Sequence, residues 1–317
     1  MSRLSSLRVV DPVLSNLSIG YSNAQLVADQ LFPYAPVERE GGKIPMFSKE
    51  AFRVYQTERA LRAKSNRINP ENITDQDIVL DEHDLEYPID YREDAESAFP
   101  LQAHATMVVT EGIRLRHEKY CADLAQNTAS YPVGNKIVLS GTSQFTDGSN
   151  SDPEGVIDDA KSAIRAKIAR HPNTMVIGYP SYKTLKRHPK LQAILSDTRP
   201  RMVQLADLRE LFEIENIIVG MGTFVADGGD VFSDIWSDNI VLAYVPAPLP
   251  AGGGAEGEGN RRNMYNPSYG YTLRKRGWPQ VDTRTEDGKL EIVRNTDIYR
   301  PYLLGAEAGY LISDTNG

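Results

Sequence analysis

The sequence predicts an α+β fold with an α/β unit inserted into it. Three observations carry this prediction. An unbroken helical stripe covers residues 99–127, short buried strands alternate with amphipathic helices over 153–242, and strand-like pieces return over 269–313. A chain of 317 residues, 40% hydrophobic and 25% charged, holds one large domain or two ordinary ones.

Residues 1–45 do not read as the start of a compact domain. Short apolar pieces (Leu14, Leu17, Ile19, then Leu26, Val27, Leu31, Phe32) alternate with polar ones and run into Phe32-Pro33-Tyr34-Ala35-Pro36. This predicts an extended arm with one short helix over 23–30, its apolar side chains buried against the body or a neighbour. The start lacks the continuous apolar core and cleavage site of a signal peptide.

Residues 46–97 stand out by charge order alone. From Lys43 to Arg67 there are seven basic and two acidic residues; from Glu71 to Glu96 there are eleven acidic and one basic. A turn sequence, Asn69-Pro70-Glu71-Asn72, separates them, and strand-like pieces flank it at 52–55, 78–80 and 85–91. The pattern predicts a two-armed hairpin with a basic and an acidic limb. A lone hairpin is marginal in water, so docking on a partner surface is favoured over a solvated, self-neutralising insertion.

The stripe that follows is Leu101, Ala105, Val108, Val109, Ile113, Leu115, Tyr120, Cys121 and Leu124. Ser97 is a candidate cap, Pro100 suits a first turn, and Asn127, Ser130 and Pro132 close the helix. A rod of about 42 Å can tie together regions that share no core. The one cysteine, Cys121, lies on the stripe as a small core residue, which excludes an internal disulfide.

A strand is expected at 136–140, then a polar loop, Asp147 to Pro153. The loop has the composition of a calcium site but lacks EF-hand spacing and the closing Glu, so it reads as surface. Next come a helix (Val156, Ala160, Ala163, Ile164, Ile168), a strand at 173–178, and a helix broken at His188-Pro189. A helix at 203–212 and strands at 217–221 and 240–245 complete the unit. The stretch 248–260 is glycine-rich, a flexible loop by composition. Strands at 269–273, 290–293 and 308–313, with a turn at Glu286-Asp287-Gly288, are expected to pair with 136–140 and the long helix as a second layer.

Motifs for chemistry are sparse. Gly220-Met221-Gly222 follows a strand, but the next residues read as extended where a dinucleotide site needs a helix. GxxxxGK[ST], GxSxG and HExxH are absent from the sequence. The histidines are scattered: His171 and His188 precede prolines in turns, and His104 and His117 sit about 20 Å apart on the long helix. No catalytic, cofactor-binding or metal-ligating residue is nominated. Lys183, Lys186, Arg187, His188 and Lys190 form a basic patch without stacking aromatics, a salt-bridging face rather than a nucleic-acid site. Net charge is −8, which disfavours gripping nucleic acid, and no apolar run approaches the roughly 18 residues of a membrane span.

Arm, projecting loop, long helix and inserted α/β unit together resemble the tailed-bacteriophage major capsid proteins of the HK97-like fold. The resemblance is carried by DPVLSNLSIGYSN (11–23), LFPYAPV (31–37), GGKIPMFSKEAFR (41–53), TERALRAKSNRINPE (57–71) and HDLEYPIDYRED (83–94). Further along it rests on HPNTMVIGYPSYKTLKRHPKL (171–191), DIWSDNIVLAYV (234–245), PSYGYT (267–272) and AGYLISD (308–314). It implies an N-terminal arm at 1–45, an E-loop at 46–97, a peripheral domain with the spine helix at 98–152 and 263–317, and an axial domain at 153–262. The implied role is self-assembly through hexamers and pentamers into an icosahedral virion shell around double-stranded DNA, in the host cytoplasm and without cofactors. Implied partners are further copies, a portal, a separate scaffolding protein and a decoration protein. Inter-subunit contacts would fall to Arg53, Arg59, Arg62 and Arg67 on the basic limb and Asp81, Glu82, Asp84 and Glu86 on the acidic limb. Some members cross-link through a Lys–Asn isopeptide bond; Lys49 and Lys64 lie in the loop, with no acceptor or acid matched to them. Alternatives are the shell of a cellular nanocompartment and an α/β enzyme seated around Gly220 to Gly229.

Overall fold

Two five-stranded sheets lie along one helix, and that helix is the reason they form a single body. The computed structural model describes residues 26–46, 57–59, 61, 64–67, 74–98, 100–195, 202–246 and 268–317. In chain order the elements begin with α1 (Ala28–Leu31), β1 (Tyr34–Val37), β2 (Gly41–Met46), β3 (Thr74–Val79), β4 (Asp81–Asp90), α2 (Tyr91–Glu96) and α3 (Leu101–Gln126). Then follow β5 (Lys136–Val138), α4 (Pro153–Ile168), β6 (Thr174–Gly178), α5 (Tyr179–Leu185), α6 (Pro189–Leu195), α7 (Leu205–Phe212) and β7 (Asn216–Gly220). The last are β8 (Thr223–Val225), β9 (Phe232–Asp234), β10 (Ile240–Ala243), β11 (Tyr271–Lys275), β12 (Gln280–Glu286), β13 (Leu290–Tyr302) and β14 (Gly309–Ser313).

The helix α3 runs about 39 Å at 1.5 Å per residue. Its buried face is a run of fourth residues: Leu101, Ala105, Val109, Ile113, His117 and Cys121, with Ala122 and Ala125 at the far end. Val108, expected in the stripe, is exposed instead. Ser97 does not cap the helix either. Pro100 occupies that position in an extended conformation, and Asp90 caps the separate short helix α2 through Arg92 N. The first half of α3 packs Leu101, Ala105 and Val109 on Ile89 and Val293 of one sheet. Its second half packs Cys121, Ala122 and Ala125 on Val176, Val241 and Leu311 of the other.

The second sheet has the order β5-β14-β10-β6-β7 and is buried on both faces. Met175, Ile177, Ile240, Leu242 and Ile312 face α4 to α7, while the alternate residues Val176, Val241 and Leu311 face α3. Here the predicted layering needs correcting. Residues 136–138 and 309–313 pair with each other as expected, but through β10 they extend the α/β sheet instead of joining the other terminal strands. The physical cause is burial. All five residues of β14 are inaccessible, which requires a neighbour on each side, and β5 and β10 supply them.

The first sheet has the order β1-β11-β13-β12, with β4 on the other edge of β13. Strand β13 runs 13 residues, far beyond the predicted 290–293, and β12 was not predicted at all. All seven residues of β12 are exposed, so it carries no alternation to read. The turn joining β12 to β13 is the predicted one: Asp287 and Gly288 both take positive φ, 51° and 66°, inside a turn closed by Lys289 N donating to Glu286 O at 3.1 Å.

Of the two expected settings for the arm, the body or a neighbour, its described part takes the first. From Val27 onward it belongs to the body of its own chain: Val27, Ala28, Leu31 and Phe32 are buried beside α3 and Trp236, and β1 pairs in parallel with β11. Residues 1–25, the expected strand at 52–55, the turn at 69–72 and the glycine-rich loop at 248–260 lie outside the described residues.

Candidate assembly surfaces and their anchor

Among the described residues, the expected two-limbed hairpin is seen at its root. Strands β2 and β3 pair antiparallel, Gly41 opposite Val79 and Met46 opposite Thr74. Ile44, Ile78 and Leu80 plug this ribbon onto Ala35, Val37, Tyr271 and Leu273. At its foot the Tyr302 hydroxyl donates to Val79 O at 2.7 Å and accepts from Val79 N at 2.8 Å. Lys43 and Asp77 face each other across the ribbon at 3.8 Å, both largely exposed.

The acidic limb then leaves the hairpin. Residues 81–90 form β4, annealed to β13 over ten residues from Asp81 opposite Tyr299 to Asp90 opposite Leu290. This corrects the predicted free acidic limb. Main-chain pairing with an unusually long strand recruits β4, and little apolar burial is needed, Ile89 being its one buried residue. Helix α3 covers it closely: a Cβ on Gly112 would stand 2.7 Å from the Leu85 side chain.

The four predicted acidic contacts all lie on β4 and meet partners of their own chain where partners are found. Asp81 faces Arg300 at 3.5 Å, Glu86 meets Arg284 at 3.0 Å, and Asp84 accepts from Thr296 Oγ1 at 3.0 Å; Glu82 is exposed. Asp282 and Arg294 add a two-pronged pair at 2.9 and 3.0 Å, and that guanidinium holds the Asp282 carboxyl below its ordinary range. Such exposed pairs stabilise little, but they give this face a mosaic of alternating charge. Of the basic residues, Arg59 and Arg67 are exposed, whereas Arg53 and Arg62 lie outside the described residues.

Where arm, spine and both sheets converge, sequence reasoning missed the anchor. Glu118 is buried in the apolar face of α3. Its carboxylate accepts from Val27 N at 3.0 Å, Ala28 N at 2.8 Å and Trp236 Nε1 at 2.6 Å. Burial pushes its pKa up, against the pull of these three hydrogen bonds. His117 donates to or accepts from Thr272 Oγ1 at 2.7 Å, stacks on Tyr34 and meets Tyr299 edge-on. Burial, helped by the positive charge of Arg274, lowers its pKa to about 3 and keeps it neutral. Arg274 lies 3.7 Å over the Tyr34 ring and bonds Asp297 at 2.8 Å. The legible signal was the His-Glu pair itself, two polar residues inside an apolar stripe, which demand buried partners.

Other singled-out motifs resolve into architecture. Gly220 and Gly222 lead into strand β8, not into a helix; a Cβ on Gly220 would stand 2.3 Å from the Trp236 indole, so the glycine makes room for that ring. Asp147 accepts from Ser149 N, Asn150 N and Asn150 Nδ2, which organises its loop. His188 is buried and bonds Ser151 Oγ at 2.9 Å, and Cys121 is fully buried. Among the described residues no group of three His, Cys, Asp or Glu could hold a metal, and no helix is long and apolar enough to cross a membrane. A polar groove beside the ribbon is lined by Asp29, Tyr34, Lys275, Arg276 and Trp278, and its lysine and arginine pair with Glu40 and Glu38.

Comparison with known proteins gives this architecture a family. Residues 28–253 match the phage major capsid protein E family. The chain is 62% identical, over its full length and the full length of the relative, to the major capsid protein of Burkholderia phage BcepMu. A crystal structure of a phage-related protein from Bordetella bronchiseptica RB50 is 32% identical, covers 97% of this chain and 98% of its own, and superposes with a TM-score of 0.74. The capsid of cyanophage P-SCSP1u, at 10% identity, shares the fold over 91% of this chain and 88% of its own, with a TM-score of 0.58. Spine helix, paired sheets, projecting ribbon and full-length identity lead to one conclusion: the chain belongs to the phage major capsid proteins and has the HK97-like fold.

Proposed function

We propose that this capsid protein works by contact alone, with a loop that finishes its folding on an adjacent copy and an α/β unit that closes capsomers about their axis. The observation that carries this is the β2–β3 ribbon. Ile44, Ile78 and Leu80 are buried at its root against β1 and β11, while the chain of residues 47–73 joins the two strands of a stem that is marginal by itself. On this reading 26–46 is the anchored part of the arm, 47–73 the E-loop proper, β4 and β11 to β13 with the first half of α3 the peripheral domain, and the second sheet with α4 to α7 the axial domain. The basic residues Arg53, Arg59, Arg62 and Arg67 of one copy then meet the charge mosaic on β4 of the next, Asp81, Glu82, Asp84 and Glu86 included.

Titratable groups of the body serve architecture on this reading and carry no reaction: Glu118 ties the arm, His188 its loop, His117 the β1–β11 junction. A chain of net charge −8 encloses double-stranded DNA without clinging to it. Assembly in the host cytoplasm with a portal, a separate scaffolding protein and a decoration protein completes the proposal. Electron microscopy of the purified protein tests it. Hollow icosahedral particles or ring-shaped capsomers are expected; a persistent monomer at high concentration refutes it.

A further inference from the structure

Two exposed patches differ in character: one on a hairpin rooted on the α3 side of the second sheet, the other on a helix packed on its opposite face. The first is the tip of the β8–β9 hairpin. Its root is held on the α3 side: Phe224 packs into the cluster that contains Trp236, and the Lys119 ammonium lies 5.0 Å from the Phe224 ring. Beyond that root, Val225 pairs with Phe232 across the hairpin, and both face outward with Val231; Val231 is 77% and Phe232 68% exposed. Asp227 and Asp230 flank this apolar tip, exposed and without an ion pair among the described residues.

The second patch is on α5, which packs Leu185 on the other face of the sheet. Ser181 and Leu185 point inward. Tyr179, Lys183 and Lys186 therefore follow one another on the outward line at spacings of four and three, with Arg187 beside them. Tyr179 is 45% exposed, and the three cations make no ion pair among the described residues. One patch is apolar and acidic, the other aromatic and basic. Neither set of charges is paired within the described residues, so each is open to another copy.

Building on the capsid reading, we propose that the β8–β9 hairpin of one copy docks on the α5 face of the next, forming the head-to-tail contact that closes a ring of axial units. A contact between two different patches of identical subunits propagates by rotation and closes into a ring when the rotation allows it. Phe232 and Val231 supply apolar burial against Tyr179, and Asp227 and Asp230 set the register against Lys183, Lys186 and Arg187.

A charge-exchange experiment on the full chain tests this. Asp227→Lys with Asp230→Lys, and separately Lys183→Glu with Lys186→Glu and Arg187→Glu, each lower the yield of capsomers and shells about tenfold or more by electron microscopy and sedimentation. Combining all five restores it. Circular dichroism and unchanged denaturation midpoints confirm folded subunits. As a second measurement, Asp230→Cys with Arg187→Cys, treated with a short bis-maleimide, gives a ladder of linked copies up to the ring; the native Cys121 is fully buried. Wild-type shells together with an unrescued combination and no ladder overturn the pairing alone. Wild-type protein that forms neither rings nor shells overturns the capsid reading beneath it.

Discussion

Glu118 and Trp236, 118 residues apart in sequence, are joined by a buried hydrogen bond of 2.6 Å from the indole Nε1 to the carboxylate. The same carboxylate holds two amides of the arm, Val27 N and Ala28 N. One side chain of the spine therefore fastens the arm and the α/β unit together. Glu118→Gln keeps the shape but turns an amide group toward donors, and is expected to cost about 1–3 kcal/mol. Glu118→Ala strands three donors and costs more, about 3–5 kcal/mol. Denaturant unfolding measures both, and equal, negligible costs would contradict the anchor.

His117 makes stability pH-dependent, with a definite sign. Burial, then Arg274, His83 and Arg114, lower its folded pKa to about 3. Between that value and about 6.5, the unfolded chain holds a proton that the folded chain does not. Stability from this group is therefore full above pH ~6.5 and falls on acidification, by up to about 1.4 kcal/mol per pH unit. Asp29, Asp297 and Glu118, whose burial raises their pKa values, contribute the opposite slope. The difference between wild type and His117→Gln isolates the histidine. Parallel stability curves for the two proteins from pH 7 to 4 would show that His117 is not held neutral.

The sequence made some parts of this molecule legible and hid others for physical reasons. Helix α3 buries one face at helical spacing, and the strands β6 and β10 bury every residue, so their patterns report their environment. Asp287-Gly288 announces its turn by backbone chemistry alone. Strands β4 and β12 are recruited by main-chain hydrogen bonds to β13 and expose nearly everything, so no alternation marks them. The acidic run of 71–96 looked like a limb because charge shows in a sequence, whereas its pairing with Arg284, Arg300 and Thr296 is set by register. The arm's return to its own body depended on Glu118, a residue whose partners lie about 90 positions away.

Gly220 separates a steric role from a ligand role. Gly220→Ala puts a methyl group where the Trp236 ring now lies, and the fully packed surroundings leave the ring little room to retreat. A loss of about 1–3 kcal/mol in unfolding free energy is expected, with changed Trp fluorescence. An alanine variant as stable as wild type would mean that this contact is loose.

Tyr302 is the pivot of the projecting ribbon, since its hydroxyl both donates to and accepts from Val79. Tyr302→Phe removes both bonds without altering the apolar packing of its ring. The loss is about 0.5–1.5 kcal/mol and is confined to the ribbon. Hydrogen exchange should quicken over 74–79 and 41–46 while β6 and β10 stay protected. Uniform acceleration across the chain would make Tyr302 a general core residue instead of a local pin.

The basic loop residues give the last prediction. Arg59 and Arg67 are exposed, and β4 of the same chain already pairs Asp81 and Glu86 with Arg300 and Arg284. On the proposed reading the loop is drawn to the acidic face of an adjacent copy, where exposed charges steer and register docking and salt weakens them. Arg59→Glu, Arg62→Glu and Arg67→Glu together should abolish shell formation while circular dichroism and the unfolding midpoint of the isolated subunit stay at wild-type values. Wild-type assembly should slow as salt rises from 0.05 to about 0.5 M, because the screening length shortens to a few ångströms. Normal particles from the triple variant, formed at a rate indifferent to salt, would show that shape alone guides the loop.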